Sequence, residues 1–215
     1  NGSCKMSGQL TTDGININDI FQNKIGTQFK FKTIKEWLDH THNKKNNKPD
    51  LTLYLVPQKY SESIIIQNFL ISIEGKYATI LGIIHIRNEI GDILSIGHEH
   101  FISTFFFIRD LEIVINQDQQ CVFYMEINYP VEYKLIDLSF YISDNVSRLF
   151  EFNIENGVII LDNLNIYSYL DFKVNYIFKI IKLKKLVIKN SFLNGVNLID
   201  INDKDTKVII TNCYI

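Results

Sequence analysis

The sequence predicts a mostly-β protein: an antiparallel sandwich- or barrel-like domain with one short helix, followed by C-terminal strands that repeat at a period of 22. Three observations carry this. Runs of β-branched and aromatic residues follow one another after Pro49, broken by turn-like stretches roughly every ten residues, which is the pattern of an antiparallel sandwich or barrel. No succession of strand then helix appears, which argues against a doubly wound α/β fold. Finally, "LKKLVIKNSFL" (183–193) and "DTKVIITNCYI" (205–215) read as two copies of one line. The expected organisation is a polar arm and short helix (1–49), an antiparallel β domain (50–155), and solenoid-like repeats packed on it (156–215).

Residues 1–20 are polar and rich in Gly, Thr and Asn, and read as a loosely held arm. The opening "NGSCKM", with its first Met at position 6, reads as a processed or added end. The helix is expected over "TIKEWLDHTHN" (33–43). Thr33 and Glu36 fit a capping box, and Ile34, Trp37, Leu38 and Thr41 share a face. A polar loop, "NKKNNKPD", closes it.

Strands are expected at "LTLYLV", "SIIIQNFLISI", "KYATILGIIHI", "DILSI", "FISTFFFI", "LEIVIN", "CVFYMEI", "YKLIDLSFYI" and "RLFEFNI". In the segment 135–142, Ile136, Leu138, Phe140 and Ile142 alternate with Leu135, Asp137, Ser139 and Tyr141, so each set should occupy one face. "ISIEGKYATI" is the clearest hairpin candidate, with Gly75 supplying the positive φ of a tight turn.

The repeat extends backward to a third, degraded copy, "LDNLNIYSYLD" (161–171). At a period of 22, Leu164, Leu186 and Val208 share one position, and Ile166, Ile188 and Ile210 share another. Tyr169, Ser191 and Cys213 share a third, where Cys213 is expected to be a buried apolar filler. This spacing resembles the leucine-rich repeat, LxxLxLxx(N/C)xL, which implies short inward-facing strands, a small group at the bend and a buried return segment. Asn190 and Asn212 lie one place early for that pattern. They suit a parallel β-helix, in which Asn residues stacked at a bend bond along a ladder. Ordinary sandwich strand ends are the third reading. A repeat that stops at Ile215 leaves an open strand edge, which invites pairing.

Composition bounds the function. With 46% hydrophobic residues the chain can bury a substantial core, and its net charge of −2 gives no general electrostatic reason to expect nucleic acid. From Leu161 onward eight Lys stand against five acids, so the positive charge gathers toward the C-terminus. The run "FISTFFFI" is too short for a membrane span. Cys4, Cys121 and Cys213 show no CxxC spacing, and Cys121, in an apolar strand, should be inert. No residue pattern points to a compartment or to a cofactor.

The sharpest chemical cluster is "GHEHF": His98 and His100 share a strand face, and His85 could approach from a neighbouring strand. Three imidazoles so placed would suit a Zn or Fe site, and the HxH is similar to that of cupin barrels, although the glutamate expected downstream is missing. Asp110 and Glu112 could form a carboxylate pair of the glycosidase kind. No GxSxG, HExxH or Gly-rich phosphate loop occurs.

The sequence therefore favours non-catalytic protein recognition or assembly through the C-terminal strand face or edge, with another protein or copies of itself as partner. Outward positions of the repeat nominate Tyr167, Lys185, Val187, Lys189, Lys207 and Ile209 as contact residues. A metal-dependent enzyme or metal-binding barrel centred on His98 and His100, and a structural subunit of a larger particle, are the alternatives.

Overall fold

A computed structural model describes residues 11–12, 15–16, 24–25, 31–43, 52–67, 70–88, 105–168, 174–193 and 198–215. The elements in order are β1 (Thr11–Thr12), β2 (Ile15–Asn16), β3 (Lys24–Ile25), α1 (Ile34–Asn43), β4 (Thr52–Leu55), β5 (Lys59–Tyr60), β6 (Ile64–Gln67), β7 (Ser72–Leu81) and β8 (Ile84–Asn88). They continue with β9 (Phe105–Ile115), β10 (Gln119–Ile127), β11 (Glu132–Ile142), β12 (Val146–Ile154), β13 (Val158–Ser168), β14 (Val174–Lys182), β15 (Lys185–Lys189), β16 (Ile199–Ile201) and β17 (Lys207–Thr211).

Two sheets make the body. One has nine strands in the order β17-β15-β13-β11-β9-β7-β4-β3, with β5 beside β7. The other has six, in the order β16-β14-β12-β10-β8-β6. From β9 onward, consecutive strands alternate between the sheets. Every pairing within them is parallel. Among the described residues only the short β1–β2 ribbon is antiparallel.

This overturns the expected antiparallel sandwich or barrel followed by solenoid-like repeats. Both sheets are parallel throughout, and neither closes into a barrel. The C-terminal strands are outer members of the same two sheets rather than a leucine-rich-repeat-like or β-helix-like unit of their own. The physical reason is that alternation and turn spacing look the same in either orientation. Parallel neighbours need a crossover of a dozen or more residues, and here a strand of the opposite sheet supplies it. From β9 onward the turns between consecutive strands are therefore corners between the sheets.

"ISIEGKYATI" shows the same error locally. It is no hairpin but lies largely within the single strand β7, whose register against β9 shifts between Glu74 and Ala78. The left-handed residue is Tyr77 (φ 60°), not Gly75. Gly75 is required for space instead, because a Cβ there would collide with the Leu111 side chain.

Parallel, in-register pairing stacks like on like between the sheets. Phe123, Phe150 and Phe178 are mutual partners across β10, β12 and β14, with ring centroids 5.4 and 5.1 Å apart. Phe140 of the larger sheet meets Phe150 edge-on at 5.2 Å. Facing them, Ile108, Leu135, Leu161 and Ile188 form one buried column and Leu111, Leu138 and Leu164 another. Each such side chain contributes about 1.5–3 kcal/mol on burial.

The helix forms where its capping signals lie. Thr33 Oγ1 accepts from the Glu36 backbone N–H at 3.1 Å. Glu62, from the turn before β6, accepts from the N–H groups of Ile34 and Lys35 at 2.9 and 3.1 Å, closing the positive end of the helix with a carboxylate. Ile34 and Trp37 are buried, and Leu38 packs against the core. No helix among the described residues is long and apolar enough to cross a membrane.

Candidate functional site

The nominated contact residues fall on one side of the nine-stranded sheet. In β15, Leu186 and Ile188 are buried while Lys185, Val187 and Lys189 alternate outward. Pairing then sets Lys185 beside Lys207, Val187 beside Ile209 and Lys189 beside Thr211. Ile160 of β13 continues the Val187–Ile209 row. Lys189 is not open charge: its Nζ is 2.8 Å from Asp162 Oδ2. That lysine and the Asn190 amide draw the Asp162 carboxyl below the usual carboxylate range.

Tyr167 belongs to a row that sequence reasoning caught only in part. Tyr141 and Tyr167 stack at 5.1 Å, Tyr167 and Phe192 at 6.3 Å, and Phe192 and Tyr214 at 5.2 Å with their planes 4° apart. Tyr167 is 43% and Tyr214 70% exposed. Because the rings face one another, the row offers mainly ring edges and phenolic oxygens outward, and the stacking holds those side chains in fixed positions.

The geometry between these rows depends on a column of left-handed residues: Asp110, Asp137, Asn163, Asn190 and Asn212, all with φ between 52° and 58°. Their predecessors Arg109, Ile136, Asp162, Lys189 and Thr211 are register partners strand by strand. A left-handed residue reverses the in–out alternation. Leu135 and Leu138 are therefore both buried, while Ile136 and Asp137 both turn away from the core. The expected single face of Ile136, Leu138, Phe140 and Ile142 thus holds only beyond the bend. Asn and Asp tolerate this backbone because their short polar side chains bond locally. Asn212 Nδ2 donates to Asn190 Oδ1 at 2.7 Å, and Asn163 Nδ2 donates to Asp137 Oδ1 at 2.6 Å.

A second feature, unforeseen from the sequence, is a cleft of about 390 Å³ at the other end of the column. Glu74, Lys76, Tyr77, Arg109, Asp110 and Asp137 line it, together with Leu111, Glu112 and Ser139. Arg109 Nη2 donates to Glu74 Oε2 at 2.7 Å, and Thr79 Oγ1 donates to Glu112 Oε2 at 3.1 Å. The Arg109 Nε is buried with no hydrogen-bond acceptor, and Asp110 Oδ2 is 3.8 Å away. Burial raises the Asp110 carboxyl above its usual range, and the charge of Asp137 adds to this. Asp110 and Glu112 do not alternate simply along one strand face, because Asp110 is itself the left-handed residue.

The histidine cluster is not assembled among the described residues. His98 and His100 lie outside them. His85 sits on the smaller sheet, with Nε2 3.4 Å from the Cys121 carbonyl oxygen and its ring edge-on to Tyr124 at 5.5 Å. Burial holds its imidazole below the ordinary histidine range. No group of three or more His, Cys, Asp or Glu among the described residues could hold a metal ion. Cys121 is buried, and that burial pushes its thiol up to about 12. Cys213, expected to be buried, is only half-buried, and its Sγ lies 3.2 Å from the Thr211 carbonyl oxygen.

Compared with known proteins, the chain matches no family model, no curated protein and no solved structure.

Proposed function

We propose that this chain is a non-catalytic recognition module. It binds another protein on the outward side of β13, β15 and β17 and along the adjoining aromatic row. One observation carries the reading: Tyr141, Tyr167, Phe192 and Tyr214 form a continuous, ordered aromatic row at the surface, on the far side of the left-handed column from Lys185 and Lys207. Exposed aromatic side chains already held in place lose little freedom on binding, which is why such residues dominate interface energetics.

The fitting partner is a segment that combines acidic and apolar side chains. Its acids meet Lys185 and Lys207, since Lys189 is already engaged by Asp162. Its apolar groups cover Val187, Ile209 and the ring edges. Charge here sets specificity and approach rate more than affinity, while the aromatic row supplies the contact area.

The test is selection of displayed peptides on the intact chain. Selected peptides should be rich in Asp, Glu and aromatic residues. They should lose at least tenfold in affinity toward a Lys185→Glu/Lys207→Glu variant and toward Tyr167→Ala, with melting temperatures unchanged for the lysine variant. Peptides bound equally by wild type and all variants would overturn the reading. Loss of binding accompanied by concentration-dependent mass of the wild type would assign the same face to copies of this chain.

A further inference from the structure

The two ends of the paired sheets are finished differently. At one end α1 packs against the outer strand β6, with Ile34, Trp37, Ile64 and Ile66 all buried. At the other end the outer strands are β17 and β16. Ile210 of β17 is 36% exposed, although its register partner Ile188 is fully buried. Ile201 of β16 is 42% exposed beside a buried Ile180. The backbone of β17 is half used as well. Lys207 N–H donates to the Lys184 carbonyl at 3.1 Å, and the Thr211 carbonyl accepts from Asn190 N–H at 3.2 Å. Alternate residues of a strand turn their polar groups to the same side. Lys207, Ile209 and Thr211 therefore serve β15, while the N–H and C=O groups of Val208 and Ile210 point to the outer edge.

Three features define the strand that fits there. Asn212 turns its amide N–H to Asn190 at 2.7 Å, so the oxygen on the other branch of that amide is an acceptor for the strand beyond. Tyr214 lies on Phe192 with planes 4° apart, and its opposite ring face is open to a second stacking partner. Lys185 and Lys207 are register partners, and like charges side by side on adjacent strands repel. Lys189 shows how the sheet answers this: its partner on the preceding strand is Asp162, at 2.8 Å. An acid beside Lys207 on a further strand offsets the lysine pair in the same way.

We propose that the outer edge of β17 takes up one extended segment of another protein as a further parallel strand. The segment carries an acid at the level of Lys207 and apolar side chains over Val208 and Ile210. An Asn lies at the level of Asn212 and an aromatic ring at the level of Tyr214. Main-chain bonds hold the segment, and these side chains set its direction and register. A second copy related by a two-fold axis would pair β17 antiparallel, which sets Asn212 and Tyr214 against the opposite end of the strand rather than against their own kind. This edge is separate from the outward side of β13, β15 and β17, and the proposal does not rest on binding there.

The probe is a synthetic peptide copying residues 205–215 with Lys207→Glu and Cys213→Ser, added to the full chain. Two further peptides each carry one N-methyl group, on the residue copying Ile209 or on the residue copying Ile210. In the register that β17 keeps with β15, the first nitrogen donates to the Val208 carbonyl and the second points away from the edge. The parent peptide and the second N-methyl peptide should bind. The first should lose about tenfold, the effect of removing one main-chain hydrogen bond and blocking its acceptor. On binding, amide hydrogen exchange should slow at Val208 and Ile210 and change little at Lys207, Ile209 and Thr211. A peptide that keeps the lysine should bind more weakly than the parent. Tyr167→Ala should bind the parent peptide as wild type does, so this reading and that of the outward face fail separately. Equal binding by the two N-methyl peptides, or unchanged exchange at Val208 and Ile210, overturns the proposal. Slowing at those two amides in the chain alone as its concentration and mass rise assigns the edge to copies of this chain, and overturns it too.

Discussion

Asn212 gives its side-chain amide to Asn190 across two adjacent parallel strands, at 2.7 Å, while both residues hold left-handed backbone. That bond joins the two demands of this fold. The strands bend at each left-handed residue, and each bend must satisfy its polar groups without a helix to cover them. A short amide side chain meets both.

Substitution at Asn190 separates the demands. Asn190→Gly keeps the left-handed backbone and loses the bonds to Asn212 and Asp162, costing about 1 kcal/mol. Asn190→Ala also strains the backbone and costs about 1 kcal/mol more. Urea denaturation measures both. A Gly variant no more stable than the Ala variant would show that backbone handedness contributes nothing at this corner.

Phe150 is where the two sheets meet most heavily, touching Phe123, Phe140, Phe152 and Phe178. Phe150→Ala should cost about 3–5 kcal/mol, through lost transfer energy and the cavity left behind. Phe150→Leu, keeping more of the volume, should cost clearly less. Equal losses for the two would mean that the site collapses around either side chain.

At the other end of the chain, Glu62 caps α1 through two backbone N–H groups. Glu62→Ala should lower stability by about 1 kcal/mol and Glu62→Gln by less, since the amide keeps an acceptor oxygen. Far-ultraviolet circular dichroism should show the helical signal melting before the sheet in the Ala variant. A single unchanged transition would place the helix cap outside the stability of the fold.

Asp162 predicts a stability that falls in acid. Its folded value is depressed by Lys189 and Asn190, so its contribution is present above the ordinary carboxylate value and is lost as pH falls through the depressed one. Asp162→Asn should therefore flatten the acid limb of the stability curve. A variant whose acid limb matches wild type would remove Asp162 from the account.

What was legible in the sequence was local. Strand content, the capped helix and the outward alternation of Lys185, Val187 and Lys189 follow from periodicity and cap chemistry, which act within a few residues. Strand direction did not follow, because sequence neighbours such as β11 and β12 lie in different sheets, and no residue pattern states which partner a strand will take. The period of 22 has the same limit. It matches the pairing of Lys185 with Lys207, but Val158 pairs with Lys185 at an offset of 27, so the degraded copy at 161–171 was aligned to the wrong residues. A signal was present in "RDL", "IDL", "DNL", "KNS" and "TNC", where each middle residue is the left-handed one. Its spacing varies from 22 to 27, which a fixed repeat length cannot find. The cleft had no such signal, since it needs Glu74 and Asp137 brought together by pairing alone.

The central claim is that partners meet the outward side of β13, β15 and β17. The most direct test is nitrogen-15 NMR of the chain titrated with a selected acidic-aromatic peptide. The account predicts that the largest shifts cluster at Tyr167, Lys185, Val187, Ile209 and Tyr214. Shifts centred instead on the cleft at Glu74 and Asp110, or on the smaller sheet around His85 and Tyr124, would contradict it.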